Sequence, residues 1–486
     1  MLMKSLYRYV IAIIFILIAG YFISNFIIAN KIESLLEEEN SIAYSSLKVN
    51  SLIGNLNVRD FEYKTEGKKI NINQIDLNVD LIHYLFQKDI KIDVVTAENL
   101  SIDVDLSSSK NSTAKKAEFD ITSIKKIELS NIDLILRKND KVLFKASKAN
   151  INAEDLTWPL DQNYKWLNNK SLDIRASTLF YDLDDLHIMK SEAFSFKGES
   201  LAFSDFEINP KYTTSEYVNH ISKEKDLMNF KAKAIKINKF SFQSKDSLKH
   251  ILSKHIQIEN SDFSIFRDKT IRDDTSVKPL YSRALRDLDF LLEIDSISIS
   301  KLNLTYQELL QKNHKPGKIT FNAIHGQITN LHNITKRKDS MIFANFKAKF
   351  TDQSDIHFKL KLLADSDNFE VNTLITKVED RSINGFFAPA MQMELDGTID
   401  KIEASFQGNN TELNGSFTMA YKKLKLNVLE KDGSKNNFAS LLSNALVQNN
   451  NVNHSFELKH IERDRSKSFW NYIWTFHSKG LRRALL

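Results

Sequence analysis

Two histidines, His250 and His255, and an acidic run, Glu259, Asp262, Asp268, Asp273 and Asp274, are the residues of this 486-residue chain best suited by type to hold a metal. Two imidazoles share a divalent ion from one helix face when they stand four apart. These stand five apart, in a stretch of two-residue alternation. The acidic run has the oxygen ligands of a calcium site. Arg267, Lys269 and Arg272 interleave with it, however, and a solvated loop that pairs its own charges is the better reading. No P-loop, GxGxxG, HExxH or GxSxG motif occurs, so the common phosphate-loop, dinucleotide, zincin and serine-hydrolase signals are missing. The absence of cysteine removes disulfides, thiolate zinc sites and cysteine nucleophiles. A net charge of +5 without a clustered basic face does not point to nucleic acid. The expectation is a non-enzymatic protein with no cofactor.

What the chain states repeatedly is alternation. In residues 69–106, Ile70, Ile72, Ile75, Leu77, Val79 and Leu81, then Ile90, Ile92 and Val94, then Leu100, Ile102, Val104 and Leu106 are apolar, with Asn, Asp, Lys and Ser between them. A period of two marks a strand with one apolar and one solvated face. The phrase apolar-x-apolar, polar jog, apolar-x-apolar recurs at 127–136 (IELSNIDLIL), 235–242 (IKINKFSF), 256–266 (IQIENSDFSIF) and 297–306 (ISISKLNLTY). The jog is either a bulge that coils the sheet or a short hairpin turn. Residues 46–64 read as two strands about Gly54 with a jog at Asp60, and His314-Lys315-Pro316-Gly317 as a hairpin turn. Helical stretches are few: a short one at 81–87, one or two turns in 281–292, and 437–448. Residues 107–116 read as an exposed polar loop.

Roughly 25–30 strands follow from this pattern, too many for so little helix to roof. The sheet must curl, pack as a sandwich, or hold another apolar substance. At about 4.8 Å per strand a single sheet of this size would run on the order of 140 Å, a trough long enough for acyl chains. Its floor would include Ile70, Ile72, Leu77, Val79, Ile90, Ile92, Leu100, Ile102, Ile127, Leu129 and Leu134, with the inward parity left open.

The ends differ from this body. Residues 9–29 carry no charge and are long enough to cross a bilayer as a helix. Lys4 and Arg8 precede the span, while Glu33 and Glu37–Glu39 follow it, which keeps the N-terminus cytoplasmic. A cleaved signal peptide would have a shorter apolar run ending in an A-x-A-like site; here the run continues through Phe26-Ile27-Ile28, so the span is read as an uncleaved anchor. At the other end, Phe469, Trp470, Ile473, Trp474 and Phe476 stand among Arg463, Arg465, Lys467, Lys479, Arg482 and Arg483. That composition suits an anionic membrane interface or a partner protein, and equally an amphipathic cap that plugs the end of the sheet. The domain organisation expected is an anchor over 1–40, a β body over 41–430, and a C-terminal helix with a basic aromatic tail over 431–486.

The opening span with its Gly-centred strand pair, SLIGNLNVRDFEY, resembles the AsmA-like proteins of bacterial envelopes. Residues 76–106, DLNVDLIHYLFQKDIKIDVVTAENLSIDVDL, and residues 388–429 are similar to the same family, although 98–104 lack the proline many relatives carry between the paired strands. The resemblance implies a mainly β fold: an N-terminal transmembrane helix, a long, curved, mostly antiparallel β-groove with a few short helices, and the amphipathic tail. It implies an inner-membrane anchor with the bulk of the chain in the periplasm, and phospholipids as cargo moving toward the outer membrane. A second membrane or an envelope protein would meet the tail. The alternative expectation is a scaffold for envelope assembly whose β core is closed.

Overall fold

The computed structural model describes residues 2–37, 41–80, 83, 87, 89–107, 121–158, 160, 164–245, 248–335, 339–351, 353–430, 435–436, 440 and 452–485. The helices expected at 81–87 and 437–448, and most of the loop expected at 107–116, lie outside the described residues. The chain is mainly β, with a long N-terminal helix, few short helices and a helix at the C-terminal end. It divides into two compact units, Met1–Asp182 with Ser191–Leu201, and Leu183–Lys190 with Ala202–Leu486. The anchor expected over 1–40 and the opening part of the body expected over 41–430 lie in the first unit, and most of the remaining body and the tail lie in the second.

The first unit opens with α1 (Leu2–Glu37), then β1 (Ile42–Ala43), β2 (Ser46–Asn50), β3 (Asn55–Thr65), β4 (Lys68–Val79), β5 (Ile90–Asp105), β6 (Ile121–Lys138), β7 (Lys141–Thr157), β8 (Asp173–Ala176) and β9 (Thr178–Asp182). Next in the chain are β10 (His187–Ser191), β11 (Ala193–Lys197), which pairs with β8, and β12 (Ser200–Pro210), which pairs with β10. The second unit continues with β13 (Leu227–Asn238), β14 (Ser241–Lys245), β15 (Leu248–Asp268), α2 (Tyr281–Arg286), β16 (Leu291–Leu309), β17 (Gly317–His332), β18 (Met341–Lys349), β19 (Asp355–Leu363) and β20 (Phe369–Glu379). It closes with α3 (Asp380–Met391), β21 (Met393–Gly408), β22 (Glu412–Val428), β23 (Val452–Glu462) and α4 (Phe469–Leu485).

Neighbouring strands are mostly antiparallel. Alternation does not reveal direction, and among the described residues β5 runs parallel to β6 in the first unit and β15 to β16 in the second. Hairpins occur where turn chemistry asks for them. Gly54 at φ 66° ends the β2–β3 turn, Asn139 and Asp140 at φ 50° and 62° make the two-residue turn between β6 and β7, and residues 310–316 join the antiparallel β16 and β17.

The recurrent jog is a shift of phase and not a hairpin turn: at 127–136, 256–266 and 297–306 it lies inside one continuous strand, and at 235–242 it parts β13 from β14, which both pair with β15. Asp60, Asn99, Asn131 and Lys148 take left-handed φ angles between 49° and 55° in β3, β5, β6 and β7. The pairings Arg59–Gln74, Ile72–Leu100 and Leu100–Ile132 set Asp60, Asn73, Asn99 and Asn131 beside one another across four strands. Between β6 and β7 the register shifts on both sides of Ile132. In the second unit Asn260 and Lys301 stand side by side in the same conformation, with Ala323 following in β17. A left-handed residue costs about 1–2 kcal/mol, least for Asn and Asp, whose short polar side chains bond locally. Asn131 does so, its Nδ2 donating to Asn99 Oδ1 at 2.6 Å.

Asn131→Val puts a β-branched side chain at this angle and is expected to lower stability by about 1–2 kcal/mol, whereas Asn131→Gly keeps most of it. Urea unfolding of the two variants checks this, and equal midpoints would contradict the assignment of the jog.

Candidate functional site

The strand registers gather the aliphatic residues of the first unit into unbroken rows. Residues paired directly across neighbouring strands present their side chains on the same face. One row runs Leu56, Leu77, Val95, Ile127, Ala153, and the next Val58, Ile75, Ala97, Leu129, Ile151, Ile174. Beyond the jog follow Phe61, Ile72, Leu100, Ile132, Ala149, and then Tyr63, Ile70, Ile102, Leu134, Ala146, Leu179. At the other end stand Val79, Ile92, Ile124 and Leu156. All the expected floor residues except Ile90 fall in these rows, and Ile90 pairs with Ile121 at their margin. Val94 corrects the simple alternation. A register shift at Val79 sets Val94 beside the polar Asn78 and Lys126, and Val95 takes its place on the apolar face.

This face is only part-buried. Val58, Ile92, Ala97, Leu100, Ile124, Ile132, Ala146, Ala149, Ala153 and Leu156 are buried. Ile70, Ile72, Leu77, Val79, Ile90, Ile102, Ile127, Leu129 and Leu134 remain half-buried. The other face is polar: Arg137 grips Asp103 with Nε and Nη2 at 2.9 and 3.0 Å, and Asp76 accepts from Asn57 and Gln74 at 2.7 Å each. Such groups hold the strands together without asking for cover, while the aliphatic rows remain a surface that gains by contact with another apolar substance.

The second unit carries the same device and then closes it. Rows such as Ile237–Ile256–Ile297–Ile328–Ala344 and Phe230–Phe263–Leu304–Phe321 are half-buried for most of their length. Toward the C-terminal end the face is fully packed, with Val371, Ile399, Ala404, Phe417, Met419 and Leu426 all but inaccessible. Two helices cover it. In α3, Ile383, Phe386 and Phe387 enter the core, and in α4, Phe469, Tyr472, Ile473, Phe476, Leu481 and Leu485 do. The expectation that helices are too scarce to roof the sheet is therefore corrected here. α3 escaped notice because Gly385 and Pro389 are poor helix formers, although Ile383, Phe386 and Phe387 already stood at helical spacing.

The tail residues take up separate tasks. Phe469 and Ile473 are core residues, and Trp474 packs its ring 5.7 Å from Phe386. Gly480 lets α4 approach Phe417 so closely that a Cβ there would clash with that ring. Lys467 reaches Asp273 at 3.1 Å and Glu224 at 3.8 Å. Arg483 lies 4.6 Å over Phe456 and donates to the Glu457 carbonyl at 2.9 Å. Trp470, Lys479 and Arg482 are exposed, with Trp470 and Lys479 half a helical turn apart at about 100° per residue. The apolar stripe that could have entered a membrane is thus occupied by the core, which is the geometry of a cap.

The residues considered for metal chemistry are dispersed into local pairs. His255 contacts Ser296 and Ser298 at 2.6 and 3.1 Å, and His250 lies 3.3 Å from Glu293. Asp274 is held by Lys223 and Lys278, well below the usual carboxylate range because of those bonds. Asp262 accepts from Asn303, and Lys236 reaches Glu259 at 3.1 Å. A scan of the sequence against protein-family models finds no match, and a search of curated proteins finds no relative.

One titratable group sits within the cap. His477 on α4 bonds Thr373 Oγ1 at 2.9 Å through Nε2 and the Ile473 carbonyl at 3.0 Å through Nδ1, with Phe406, Phe417 and Phe476 around it. Burial lowers its pKa, against the opposing pull of the Ile473 carbonyl. The unfolded chain therefore binds the proton more readily, and stability is fully present above the ordinary imidazole value and falls as pH drops below it. The melting temperature should fall on going from pH 7 to pH 5 by more in the parent than in His477→Leu; an identical fall in both would contradict a neutral, enclosed imidazole.

Proposed function

We propose that this chain is a membrane-tethered carrier whose apolar sheet face holds the acyl chains of phospholipids and guides them along the rows, without chemical turnover. The observation that carries this reading is the unbroken set of apolar rows across β3–β7, in which buried residues alternate with half-buried ones such as Ile70, Ile72, Leu77, Ile127 and Leu134, kept on one face by the aligned jogs. Burial of a methylene contributes about 0.8 kcal/mol, so a floor that is apolar at every step lets a chain slide without meeting the full transfer cost at once. Head groups would stay in water beyond the rim.

The AsmA-like resemblance supports the same reading and supplies the setting. α1 contains a stretch long and apolar enough to cross a membrane, Ile16–Ser34. With Lys4 and Arg8 retained on the cytoplasmic side, the body would stand in the periplasm of a bacterial envelope, carrying lipid between its membranes. A second reading, a scaffold with a closed core, is favoured by the packing beneath α3 and α4 in the second unit. Under either reading a further membrane or an envelope protein would meet the tail through side chains that α4 leaves exposed, among them Trp470, Lys479 and Arg482.

Val95 and Ile127 face each other across β5 and β6. Replacing both with Asp should abolish phospholipid retention in a body lacking α1, measured by native mass spectrometry and lipid extraction, with circular dichroism to confirm folding. Thr96→Lys, on the polar face between Asp76 and Glu128, should leave retention intact. A folded double variant that keeps its lipid would sink the carrier reading.

A further inference from the structure

The turn between β2 and β3 holds the most exposed large apolar side chains of the strand-bearing part of the first unit, Leu52 at 75% and Ile53 at 61%. It is not a loose tip. The Ser51 N–H donates to Asn25 Oδ1 at 2.6 Å, and Ser24 Oγ and Ser51 Oγ share a hydrogen bond of 2.6 Å. From the other side Asn78 Nδ2 donates to the Ile53 carbonyl at 3.1 Å, and the Val79 N–H donates to the Gly54 carbonyl at 2.9 Å. The turn is therefore fixed between α1 and the end of β4, with its two aliphatic side chains pointing into open space.

Ser24 and Asn25 lie inside the apolar stretch of α1, where unsatisfied polar groups would be costly in lipid. Ser51 of the turn gives a partner to Ser24 Oγ, which also donates to the Tyr21 carbonyl at 2.9 Å, and to Asn25 Oδ1. Around them α1 changes character. Tyr21, Ser24, Asn25, Ile28, Ala29, Ile32 and Glu33 form a half-buried stripe, while Ile23 and Ile27 on the opposite side remain 58% and 59% exposed. From Arg8, retained on the cytoplasmic side, to Asn25 the helix rises about 26 Å, short of a hydrocarbon core of about 30 Å, so it meets the turn within the far leaflet. α1 also lies beside β1 and β2.

We propose that the β2–β3 turn dips into the bilayer spanned by α1, with Leu52 and Ile53 among the acyl chains of the leaflet on the body side. The occupant is the lipid of that leaflet, because the turn is bonded to the span itself and its exposed aliphatics continue the apolar collar of Phe22, Ile23, Phe26 and Ile27. The inference rests on α1 being a membrane span and is independent of lipid carriage. If carriage also holds, the turn is the port. Gly54 leads directly into Leu56 and Val58, which head two of the aliphatic rows.

The chain has no cysteine, so single-cysteine labels need no background removal. Ile53→Cys, Leu52→Cys, Ile18→Cys in the span and Asp140→Cys in the exposed β6–β7 turn would each be labelled with an environment-sensitive nitrobenzoxadiazole probe. Each full-length protein would be reconstituted into phosphatidylethanolamine–phosphatidylglycerol vesicles with and without doxyl-labelled lipid. The expected result is blue-shifted emission, with loss of intensity to doxyl lipid, at positions 18, 52 and 53, and solvent-like, unquenched emission at 140. Quenching at 18 with solvent-like emission at both 52 and 53 would overturn the proposal while leaving the anchor in place. Absence of quenching at 18 would remove the anchor reading and this one with it. Leu52→Cys and Ile53→Cys report the same turn, so a defect in one leaves the other to decide.

Discussion

The apolar face of this protein exists only because its strands change phase together. A strand that alternates strictly keeps one parity on one face, and a single inserted residue sends everything beyond it to the other side. Here each long strand of the first unit carries such an insertion, and Asp60, Asn73, Asn99 and Asn131 stand in line, so the displaced halves still agree. A left-handed residue costs about 1–2 kcal/mol, while one strand out of phase would turn two or three aliphatic side chains to water at about 1.5–3 kcal/mol each. The alignment is therefore the cheaper arrangement, and every row across β3–β7 depends on it.

That economy explains which parts were legible in the residues alone. Ile70, Ile72 and Leu77 announce strands by type and spacing, and the polar pair in IELSNIDL marks where the phase changes. Whether the pair is a bulge or a turn was open, because both leave the same trace in one strand; only the partners of Asn131 decide it. Val94 and Val95 show the limit of counting, since a register shift opposite Val79 chooses between two adjacent valines. The parallel pairing of β5 with β6 was not legible, because alternation carries no direction. For the tail, the Trp-rich stripe fitted a membrane or a core equally well. The available clue was Gly480, one helical turn beyond Phe476, where a helix must come close to a neighbour.

The two units use one strand design to different ends. Where α3 and α4 press Phe386, Phe387 and Phe476 onto the strands, the rows become an ordinary dry core, and His477 can be enclosed with its hydrogen bonds satisfied. Across β3–β7 the same kind of rows are only partly closed, with Ile70, Ile72, Leu77, Ile102, Ile127, Leu129 and Leu134 half-buried. A surface of this kind is stable in water only at a cost proportional to its area, which a bound acyl chain would remove. Polar ladders on the reverse face, such as Arg137 with Asp103, hold the strands in register whether or not the apolar face is occupied.

The central claim is that acyl chains lie on one face of this sheet and not the other, and adjacent residues of β6 can separate the two. A photoreactive amino acid placed at Ile127, and in a second protein at Glu128, would be irradiated in the full-length chain in cells and the adducts identified by mass spectrometry. The account predicts phospholipid adducts at 127 and none at 128. Equal labelling at both positions, or no lipid at 127, would contradict it.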